Sequence, residues 1–285
     1  MNHNRQKRIR NRQKSNKRTG MPRVEIIYGH HPVVAAITNP ERKLAKLLIT
    51  IEAQKNLIQT LLRREKEILA SETPQNNLSD VTKAKSVVEK AQLIERAQLA
   101  SLLPEGSVHQ GLLLECAPLP SKNLIDFTPS ANNAPLIILD QINDPHNIGA
   151  ILRSAAAFGA LAVVVQARYS PGTSGVIAKA ASGALETVPI VREVNIARAI
   201  QSLQNMGYWV VGLDANSERV IRKGLLKKPI ALVLGAEGSG LRQLTKKSCD
   251  ILLKIQLGSA VDSLNVSNAA AISLYELSMS KNDIP

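Results

Sequence analysis

Three short polar segments in the second half of the chain contain the residues that could do chemistry. The first holds Asn147 and Arg153, the second holds Glu237, and the third holds Ser263 and Asn265. Each segment follows an apolar run and precedes or enters a run with helical spacing. A guanidinium binds oxyanions through a fixed fork of donors, and carboxylates and amides can hold polar partners in place. These residue types therefore suit the binding of a ribose or a phosphate.

Each segment also has an ordinary structural explanation. Asn147 is placed to cap a helix that carries Arg153 about a turn and a half further on, which would make Arg153 a plain surface residue. The glycines of residues 235–240 could serve turn geometry alone, or could let a ligand approach the backbone. This turn matches neither the P-loop nor the GxGxxG pattern, so its spacing does not support phosphate or dinucleotide binding. A Ser or Asn of the third segment can cap the last helix. The ordinary explanation does not account for three polar turns beside strand ends in one domain.

The elements that would position these segments alternate in type after residue 135. The apolar strands are predicted at 136–139, 161–165, 188–191, 209–213, 230–234 and 251–255. The helices are predicted at 148–158, 176–182, 196–206, 241–247 and 266–279. Strands that are apolar throughout and alternate with helices favour a doubly wound parallel α/β sheet. Ligands bind such sheets at the carboxyl ends of the strands, where the three segments fall.

The chain divides at a stretch rich in Pro, Ser and Asn, which is read as an interdomain linker over residues 118–134. The part before it, residues 24–117, is predicted to be one small α/β unit. Its elements are strands at 24–28, 44–51 and 111–116, and helices at 31–37, 52–64 and 81–99. Two domains agree with a length of 285 residues.

The positive charge is concentrated at the start of the chain. Lys and Arg outnumber Asp and Glu by 36 to 23, and residues 1–23 hold nine basic residues and no acid. A block of like charges among Asn, Gln and Ser predicts a disordered tail that suits phosphate backbones, although such a tail could also serve solubility alone. Nucleic acid is the expected partner, and binding through this tail would be sensitive to salt.

Other classes of protein are disfavoured by the sequence. No apolar run approaches the roughly 20 residues needed to cross a bilayer, and no secretory signal follows the basic tail. Cys116 and Cys249 form neither a CxxC pair nor a disulfide framework, which fits a reducing cytoplasm. The five histidines have no metal-ligand spacing, so we expect no metal. Without a long apolar run, we also expect no membrane attachment.

The three segments, taken together and in order, resemble the three signature motifs of the SpoU (TrmH-type) RNA 2'-O-methyltransferases. The matching residues are Asn147-x-Gly149-x-x-x-Arg153, Gly235-Ala236-Glu237-Gly238 and Ser263-Leu264-Asn265-Val266-Ser267. The first domain resembles the substrate-binding domain of the branch that methylates 23S rRNA guanosine. That likeness lies in Tyr28-Gly29-His30-His31-Pro32-Val33 and in His109-Gln110-Gly111.

The resemblance implies a fold and an activity that periodicity alone does not give. The fold is a C-terminal sheet domain, residues 135–285, with a SPOUT-like trefoil knot, joined to a small RNA substrate-binding domain. A homodimer would bury the knots. The activity is transfer of a methyl group from S-adenosyl-L-methionine to a ribose 2'-oxygen, with rRNA as the expected substrate.

The resemblance also implies roles for the motif residues. Arg153 would activate the hydroxyl or clamp the developing alkoxide. Glu237, Ser263 and Asn265 would position Arg153 and the ribose, and Asn147 would shape the pocket. The cofactor-binding residues would be Gly235, Ile255, Leu257 and Leu264. Gln256 stands where the family usually has Pro. Two alternatives stay open, which are a tRNA 2'-O-methyltransferase and a non-catalytic RNA-binding factor with the same fold.

Overall fold

The computed structural model describes residues 24–70, 75–129, 134–168, 175–222 and 229–278. The predicted disordered tail, residues 1–23, lies outside them. The chain forms two compact units. The first ends at Leu119 and leaves out His31–Ala36, and the second comprises His31–Ala36 and the chain from Pro120 onwards.

The first unit is built on a four-stranded sheet. The elements up to Leu119, in chain order, are β1 (Glu25–Tyr28), α1 (His30–Thr38), β2 (Leu44–Ile49), α2 (Ile51–Leu69), α3 (Gln75–Glu89), β3 (Gln92–Leu93), α4 (Arg96–Ser101) and β4 (Leu112–Cys116). Of α1, residues His31–Ala36 are assigned to the second unit. The strand order is β1-β4-β2-β3, with β4 antiparallel to β1 and β2, and with β3 parallel to β2. Thr50 caps α2 by accepting a hydrogen bond from the Ala53 N–H (3.3 Å). Leu57 and Leu61 of α2 are fully buried, so this helix has one apolar face.

One predicted helix of this unit is wrong. Residues 81–99 were expected to form a single helix, but α3 ends at Glu89, the short strand β3 follows, and α4 begins at Arg96. The apolar spacing of the two helices runs on through the break, and neither Gly nor Pro marks it. The N–H of Ile94 donates to the Ile49 carbonyl (3.0 Å), so pairing with β2 interrupts the helical run.

The second unit contains six parallel strands and five helices within its described part after residue 134. These elements are β5 (Leu136–Asp140), α5 (Pro145–Ala157), β6 (Ala162–Gln166), α6 (Gly175–Ala181), β7 (Ile190–Glu193), α7 (Ile196–Asn205), β8 (Trp209–Leu213), β9 (Ile230–Gly235), α8 (Gln243–Ser248), β10 (Ile251–Leu253) and α9 (Val266–Ser278). The strand order is β10-β8-β9-β5-β6-β7, and all the pairs are parallel. The predicted parallel α/β sheet is therefore confirmed, and every strand predicted after residue 135 is present.

The sheet is covered on both faces, which explains why its strands are apolar throughout. Ile138 and Val164 pack on one face against Ile200 and Leu203 of α7. The alternate residues of β5 are also buried, although they point to the other face. Among the helices that cover the sheet, α5 packs against both α6 and α9. This arrangement leaves the carboxyl edge of the sheet as the place where loops can gather.

Part of the predicted linker packs onto the second unit. Leu124 lies in a short 3₁₀ turn (Leu124–Asp126) and is buried in the same core as Leu136. The Tyr208 hydroxyl donates to the Phe127 carbonyl (3.1 Å). Within the described residues, no helix combines the length and the hydropathy needed to cross a bilayer.

Candidate active site at the carboxyl edge of the parallel sheet

The loop after β5 leads directly into α5, and its cap is not the predicted one. Asp144 caps the helix by accepting a hydrogen bond from the His146 N–H (3.0 Å), and Pro145 is the first helical residue. The expectation that Asn147 caps this helix is wrong, because Asn147 lies inside its first turn. Its side chain is consequently available for contacts outside the helix.

Arg153 is the ninth residue of α5, so it lies roughly two turns from the helix start rather than a turn and a half. Its side chain is exposed and makes no hydrogen bond or ion pair with any described residue. A guanidinium with five donors and no partner among the described residues can bind a substrate oxyanion.

Glu237 lies in the tight loop that follows β9. This loop folds back on itself, since Ala236 and Gly240 form an isolated bridge. A Cβ added at Gly235 would lie 2.2 Å from the Gly240 carbonyl carbon and 2.4 Å from the Leu241 nitrogen. Glycine at position 235 is thus required by the loop's own backbone. Gly238 has a φ of 76° and open space around it, so it serves the turn.

A hydrogen-bonded network joins one residue from each of the three polar segments. The Asn265 Nδ2 donates to Glu237 Oε1 (2.6 Å) and to Asn147 Oδ1 (3.0 Å). The Asn147 Nδ2 donates to the same Glu237 oxygen (3.2 Å). The backbone N–H of Val266 also points at this oxygen (3.4 Å). One carboxylate oxygen thus fixes two amides and a backbone group that are far apart in the sequence.

Asn265 also begins α9, as the sequence predicted for one polar residue of the third segment. Its Oδ1 accepts from the Ser267 N–H (2.9 Å), and the Asn265 carbonyl accepts from the Ala269 N–H (3.0 Å). The Ser267 hydroxyl donates to the same Oδ1 (2.5 Å). Asn265 therefore uses its oxygen for the helix cap and its amide nitrogen for the network.

The segment between β10 and α9 offers apolar side chains and backbone donors. Ile255, Leu257 and Leu264 are half-buried, and Ser263 is exposed. The backbone N–H groups of residues 255–258 donate no hydrogen bond within the described part of the chain. Gln256, at the position where Pro is usual, is exposed and donates from Nε2 to the Leu257 carbonyl (3.2 Å). Half-buried apolar groups beside unpaired backbone donors suit an adenosine-like ligand.

Among the predicted site residues, Asn147, Glu237 and Asn265 are joined by hydrogen bonds between their side chains. Arg153 and Ser263 make no hydrogen bond to them or to any other described residue. The roles assigned to Arg153, Ser263 and the cofactor-binding residues stay predictions.

An ion pair beside the site was not anticipated from the sequence. The Asp140 carboxylate, at the end of β5, is completely buried. It accepts from Arg242 Nε (2.7 Å), Nη2 (2.6 Å) and the backbone N–H (3.1 Å). The two residues are 102 positions apart, and no local spacing links them. The pair anchors the chain just after the Glu237 loop to the neighbouring strand.

Gly149 of the first segment has a packing role. A Cβ at this position would lie 2.4 Å from the Ala180 Cβ and 3.0 Å from the Ala181 nitrogen. The glycine therefore allows α5 and α6 to approach closely. This role could be found only from the packed helices, because Gly149 looks like an ordinary helix residue in the sequence.

Two cysteines lie outside this network. Cys116 is buried, and burial together with the charges of Asp250 and Asp140 raises the pKa of Cys249 to about 12. The Cys249 thiol therefore stays protonated at neutral pH and is a poor nucleophile.

The fold and the site define a class of protein, an α/β protein whose polar site is assembled from loops at the carboxyl edge of a parallel sheet. A model of the SpoU rRNA Methylase family matches residues 134–275. The 23S rRNA (guanosine-2'-O-)-methyltransferase RlmB of Coxiella burnetii is 37% identical over 261 residues, covering 90% of this chain and 96% of that protein. The RlmB of Haemophilus influenzae is 34% identical, covering 89% of this chain and 96% of that protein. The chain belongs to the SpoU rRNA methylase family, which confirms the family predicted from the motifs.

A longer relative and two solved structures are also similar to this chain. An uncharacterized tRNA/rRNA methyltransferase of Synechocystis is 37% identical over 89% of this chain, which spans 62% of that protein's length. The SpoU methyltransferase AviRb from Streptomyces viridochromogenes has a TM-score of 0.66 at 22% identity, covering 89% of this chain and 88% of that chain. An AdoMet-bound rRNA methyltransferase from Sinorhizobium meliloti has a TM-score of 0.67 at 21% identity, covering 89% and 86%. At such identities the two structures show a shared fold.

Proposed function

We propose that this protein transfers a methyl group from S-adenosyl-L-methionine to the ribose 2'-oxygen of a guanosine in 23S rRNA. The single observation that carries the proposal is the network of Asn147, Glu237 and Asn265, which connects the three family motifs through direct hydrogen bonds. The 23S rRNA methyltransferases at 34 to 37% identity support the substrate. Since that substrate is ribosomal RNA, we place the protein in the cytoplasm.

The cofactor would be held by the loop after β9 and the segment after β10. Gly235 keeps the first loop tight, and the half-buried Ile255, Leu257 and Leu264 offer apolar contact for the adenosyl group. The unpaired backbone donors at residues 255–258 suit the polar edge of an adenine ring. When bound, S-adenosyl-L-methionine supplies an activated methyl group on its sulfonium.

Arg153 is the proposed catalytic residue. A ribose 2'-hydroxyl is a poor nucleophile and must lose its proton as the new bond forms. A guanidinium stays protonated at ordinary pH, so Arg153 does not take that proton. It stabilises the developing alkoxide, and a substrate phosphate accepts the proton. A fixed positive charge beside the developing negative charge stabilises the transition state.

Glu237 and Asn265 are positioning residues in this proposal. One Glu237 oxygen accepts from Asn147, Asn265 and Val266, so it fixes the start of α5 relative to the start of α9. Ser263 is exposed two residues before Asn265 and is assigned to the ribose. Arg153 lies on α5, and its helix is therefore oriented by the network.

The proposal also includes the architecture implied by the family. The chain end threads through a trefoil knot at the site, residues 118–134 act as a linker, and residues 24–117 bind RNA with help from the basic tail. A homodimer buries the knots. Ile272 and Tyr275 of α9 are 39% and 50% exposed, and Tyr275 contacts Phe158 edge to face with ring centroids 6.1 Å apart. These two exposed side chains, three residues apart on one helix, are the basis for proposing α9 as the self-association surface.

The test is methyl transfer from labelled S-adenosyl-L-methionine to rRNA and tRNA that lack modification. We expect label at a guanosine 2'-oxygen of 23S rRNA and no label in tRNA. The variant Arg153→Ala should bind cofactor and RNA but lose transfer. Arg198→Ala is the matched control, because Arg198 is an exposed arginine on α7 outside the site.

Other outcomes would favour the two alternatives. Label in tRNA alone would replace the rRNA substrate with tRNA. Binding of cofactor and RNA by the wild-type protein without any transfer would indicate a non-catalytic RNA-binding factor. Light scattering, which gives the molar mass in solution, would contradict the homodimer if the protein remained monomeric.

A further inference from the structure

The first unit contains a cleft of about 560 Å³ that the proposed reaction does not use. The cleft is formed by the start of α1, one face of α2 and the turn before β4. The lining residues are His30, Ala53, Asn56, Gln59, Thr60, Arg63 and Gln110. Its volume lies within the roughly 300–1,000 Å³ of sites that bind small ligands, which is room for one nucleotide.

One wall of the cleft is a polar stripe on α2. Asn56, Gln59, Thr60 and Arg63 have the spacing i, i+3, i+4 and i+7, so they share one face of the helix. The Asn56 and Gln59 side chains make no hydrogen bond with any described residue. Each of these amides therefore offers both a donor and an acceptor to a ligand.

The opposite wall is a turn held in an unusual backbone conformation. Gln110 has a φ of 54°, although it is not glycine. Gly111, with a φ of 77°, packs so closely on the start of α2 that a Cβ would lie 2.4 Å from Thr50 Oγ1. The buried His109 accepts a hydrogen bond from the Gly111 N–H at Nδ1 (3.1 Å). Backbone strain of this kind is a reason to look for a functional role.

Hydrogen bonds connect this turn to α1 and α2. Gln110 Oε1 accepts from the His30 N–H (3.0 Å). The Thr60 hydroxyl donates its single proton to the Asn56 carbonyl (3.0 Å), and it therefore accepts from His30 Nε2 (3.1 Å). Both segments by which the first domain resembles the rRNA methyltransferase branch, at His30 and at Gln110, thus meet in this cleft.

The charge of the cleft favours a polar ligand that is read by hydrogen bonds. Arg63 is the one cation of the lining, which contains no Asp or Glu and no Phe, Tyr or Trp. Its ion pair with Glu67 (3.8 Å) is exposed and weak, so a phosphate can replace Glu67. The sequence from Val24 to Leu119 has 11 basic and 11 acidic residues, so the folded stretch that holds the cleft has no net charge apart from the basic tail before it. A general electrostatic attraction to RNA is therefore not expected here, and neither is base stacking. The cleft would therefore recognise RNA through amide side chains that hydrogen-bond to base edges.

We infer that this cleft binds one unpaired nucleotide of the RNA substrate. Asn56 and Gln59 contact the base edge, and Arg63 contacts the adjacent phosphate. The bases of a paired A-form helix are not accessible to side chains in the deep major groove, whereas the bases of a loop are. The inference rests on the proposed function, because it takes RNA as the substrate.

The test uses the full-length variant Asn56→Ala/Gln59→Ala. It changes no charge, and alanine is the best helix former, so α2 is retained. Binding is measured by fluorescence anisotropy at several salt concentrations, with an RNA hairpin that has a single-stranded loop and with an RNA duplex of equal length. We expect at least about tenfold weaker binding of the hairpin, the effect of losing one good base contact. Duplex binding and the salt slope should not change.

Lys55→Ala is the matched control. Lys55 is exposed beside Asn56 on the same helix but does not line the cleft. Any loss from this variant should be the same for hairpin and duplex, since a phosphate contact carries no base information. The inference is overturned if the double variant binds the hairpin as tightly as wild type, or if it loses hairpin and duplex binding equally.

Failure of this inference can be told apart from failure of the proposed function. If the double variant is defective, its methyl transfer should show a raised KM for rRNA with an unchanged kcat, because Asn56 and Gln59 do not belong to the methyl-transfer site. A wild-type protein that binds the hairpin but never transfers a methyl group would contradict the function and leave the cleft assignment in place.

Discussion

The polar side chains of the candidate site and those on the α2 wall of the cleft differ in what they bind. In the second unit, Glu237 and Asn265 are bound to each other, and the Asp140 carboxylate is bound to Arg242. In the first unit, the Asn56 and Gln59 side chains are bound to no described residue. Groups that hold one another fix a geometry before substrate arrives, which a chemical step requires. Side chains without a protein partner, such as Asn56 and Gln59, can instead adjust to the base that they bind.

This difference predicts where substitutions act. Changes at the Asp140–Arg242 pair should damage stability, because they leave a buried group unsatisfied. Changes in the exposed Glu237 network should damage turnover, because they release side chains that hold the three polar segments together. Changes in the open cleft should damage RNA binding alone. The predictions below test this contrast, starting with the largest expected effect.

Arg242→Ala should destabilise the protein by about 3 kcal/mol. The substitution leaves the Asp140 carboxylate completely buried with no cation, which is more costly than losing an exposed pair. Breaking a buried ion pair typically costs about 3–5 kcal/mol. We expect a value at the low end, since the Arg242 side chain is 38% exposed and water can reach part of the vacated space.

The free energy of unfolding from urea titration measures this effect. Arg198→Ala removes the same charge from an exposed position and should stay within about 0.5 kcal/mol of wild type. Equal stability of the two variants would show that the buried pair contributes nothing.

Glu237→Ala should lower kcat by about 100-fold, which is about 2.7 kcal/mol at 1.36 kcal/mol per tenfold. Removal of one carboxylate releases the Asn147 and Asn265 amides, and a misplacement of about 1 Å in an active site has an effect of this size. Cofactor affinity by calorimetry and RNA affinity by anisotropy should change much less than kcat. A raised KM with unchanged kcat would assign Glu237 to substrate binding instead of positioning.

Gly235→Ala should destabilise the protein by about 2 kcal/mol and weaken cofactor binding, as expected for overpacking by one methyl group. The added Cβ would lie 2.2 Å from backbone atoms, which cannot rotate away as a side-chain tip can. Thermal unfolding checks the stability, with Gly258→Ala as control because a Cβ there meets nothing within 4 Å. If Gly235→Ala unfolded at the wild-type temperature, the loop would have to be more adaptable than its contacts indicate.

The smallest effect concerns pH and the first unit. Burial, and then the nearby charge of Arg96, lower the pKa of His109, whose Nδ1 accepts from the Gly111 N–H. A folded-state pKa below the unfolded value means that the unfolded chain binds the proton more readily. The stabilisation is therefore complete above about pH 6.5 and is lost as the pH falls through the folded pKa.

His109→Asn should remove this acid sensitivity. An Asn side chain can accept from the N–H two residues on and does not titrate. Urea unfolding of both proteins at pH 7.5 and 5.5 compares them, and we expect the loss on acidification to be smaller in the variant. An equal loss in both proteins would assign the sensitivity to other groups.

The sheet of the second unit was predictable because both of its faces are covered. β8 (Trp209–Leu213) has the predicted bounds, and the other strands differ by only a few residues. Continuous apolar runs between helical segments are a strong local signal for buried parallel strands. The two-residue strand β3 gave no such signal, because it is held by backbone pairing with β2 and both of its residues are exposed.

The candidate site was predictable in its residues but not in its contacts. The motif pattern indicated Asn147, Glu237 and Asn265, whereas the hydrogen bonds among them depend on loops from three distant parts of the chain. The Asp140–Arg242 pair and the packing of Gly149 on α6 were not predictable for the same reason, since both depend on contacts between residues far apart in the sequence. The cap of α5 was a missed local signal, since Asp144 followed by Pro145 is typical of a helix start.

The spacing of the network sets a delay during synthesis of the protein. Asn265 follows Asn147 by 118 residues. At translation rates of about 5–20 residues per second, roughly 6 to 24 seconds pass between the two. During that interval the arginine-bearing helix, the remaining five strands of the parallel sheet and Glu237 are added, but Glu237 still lacks its strongest partner. A newly made molecule thus cannot assemble its site gradually from the N-terminus, and it acquires the complete network only after Asn265 has been added.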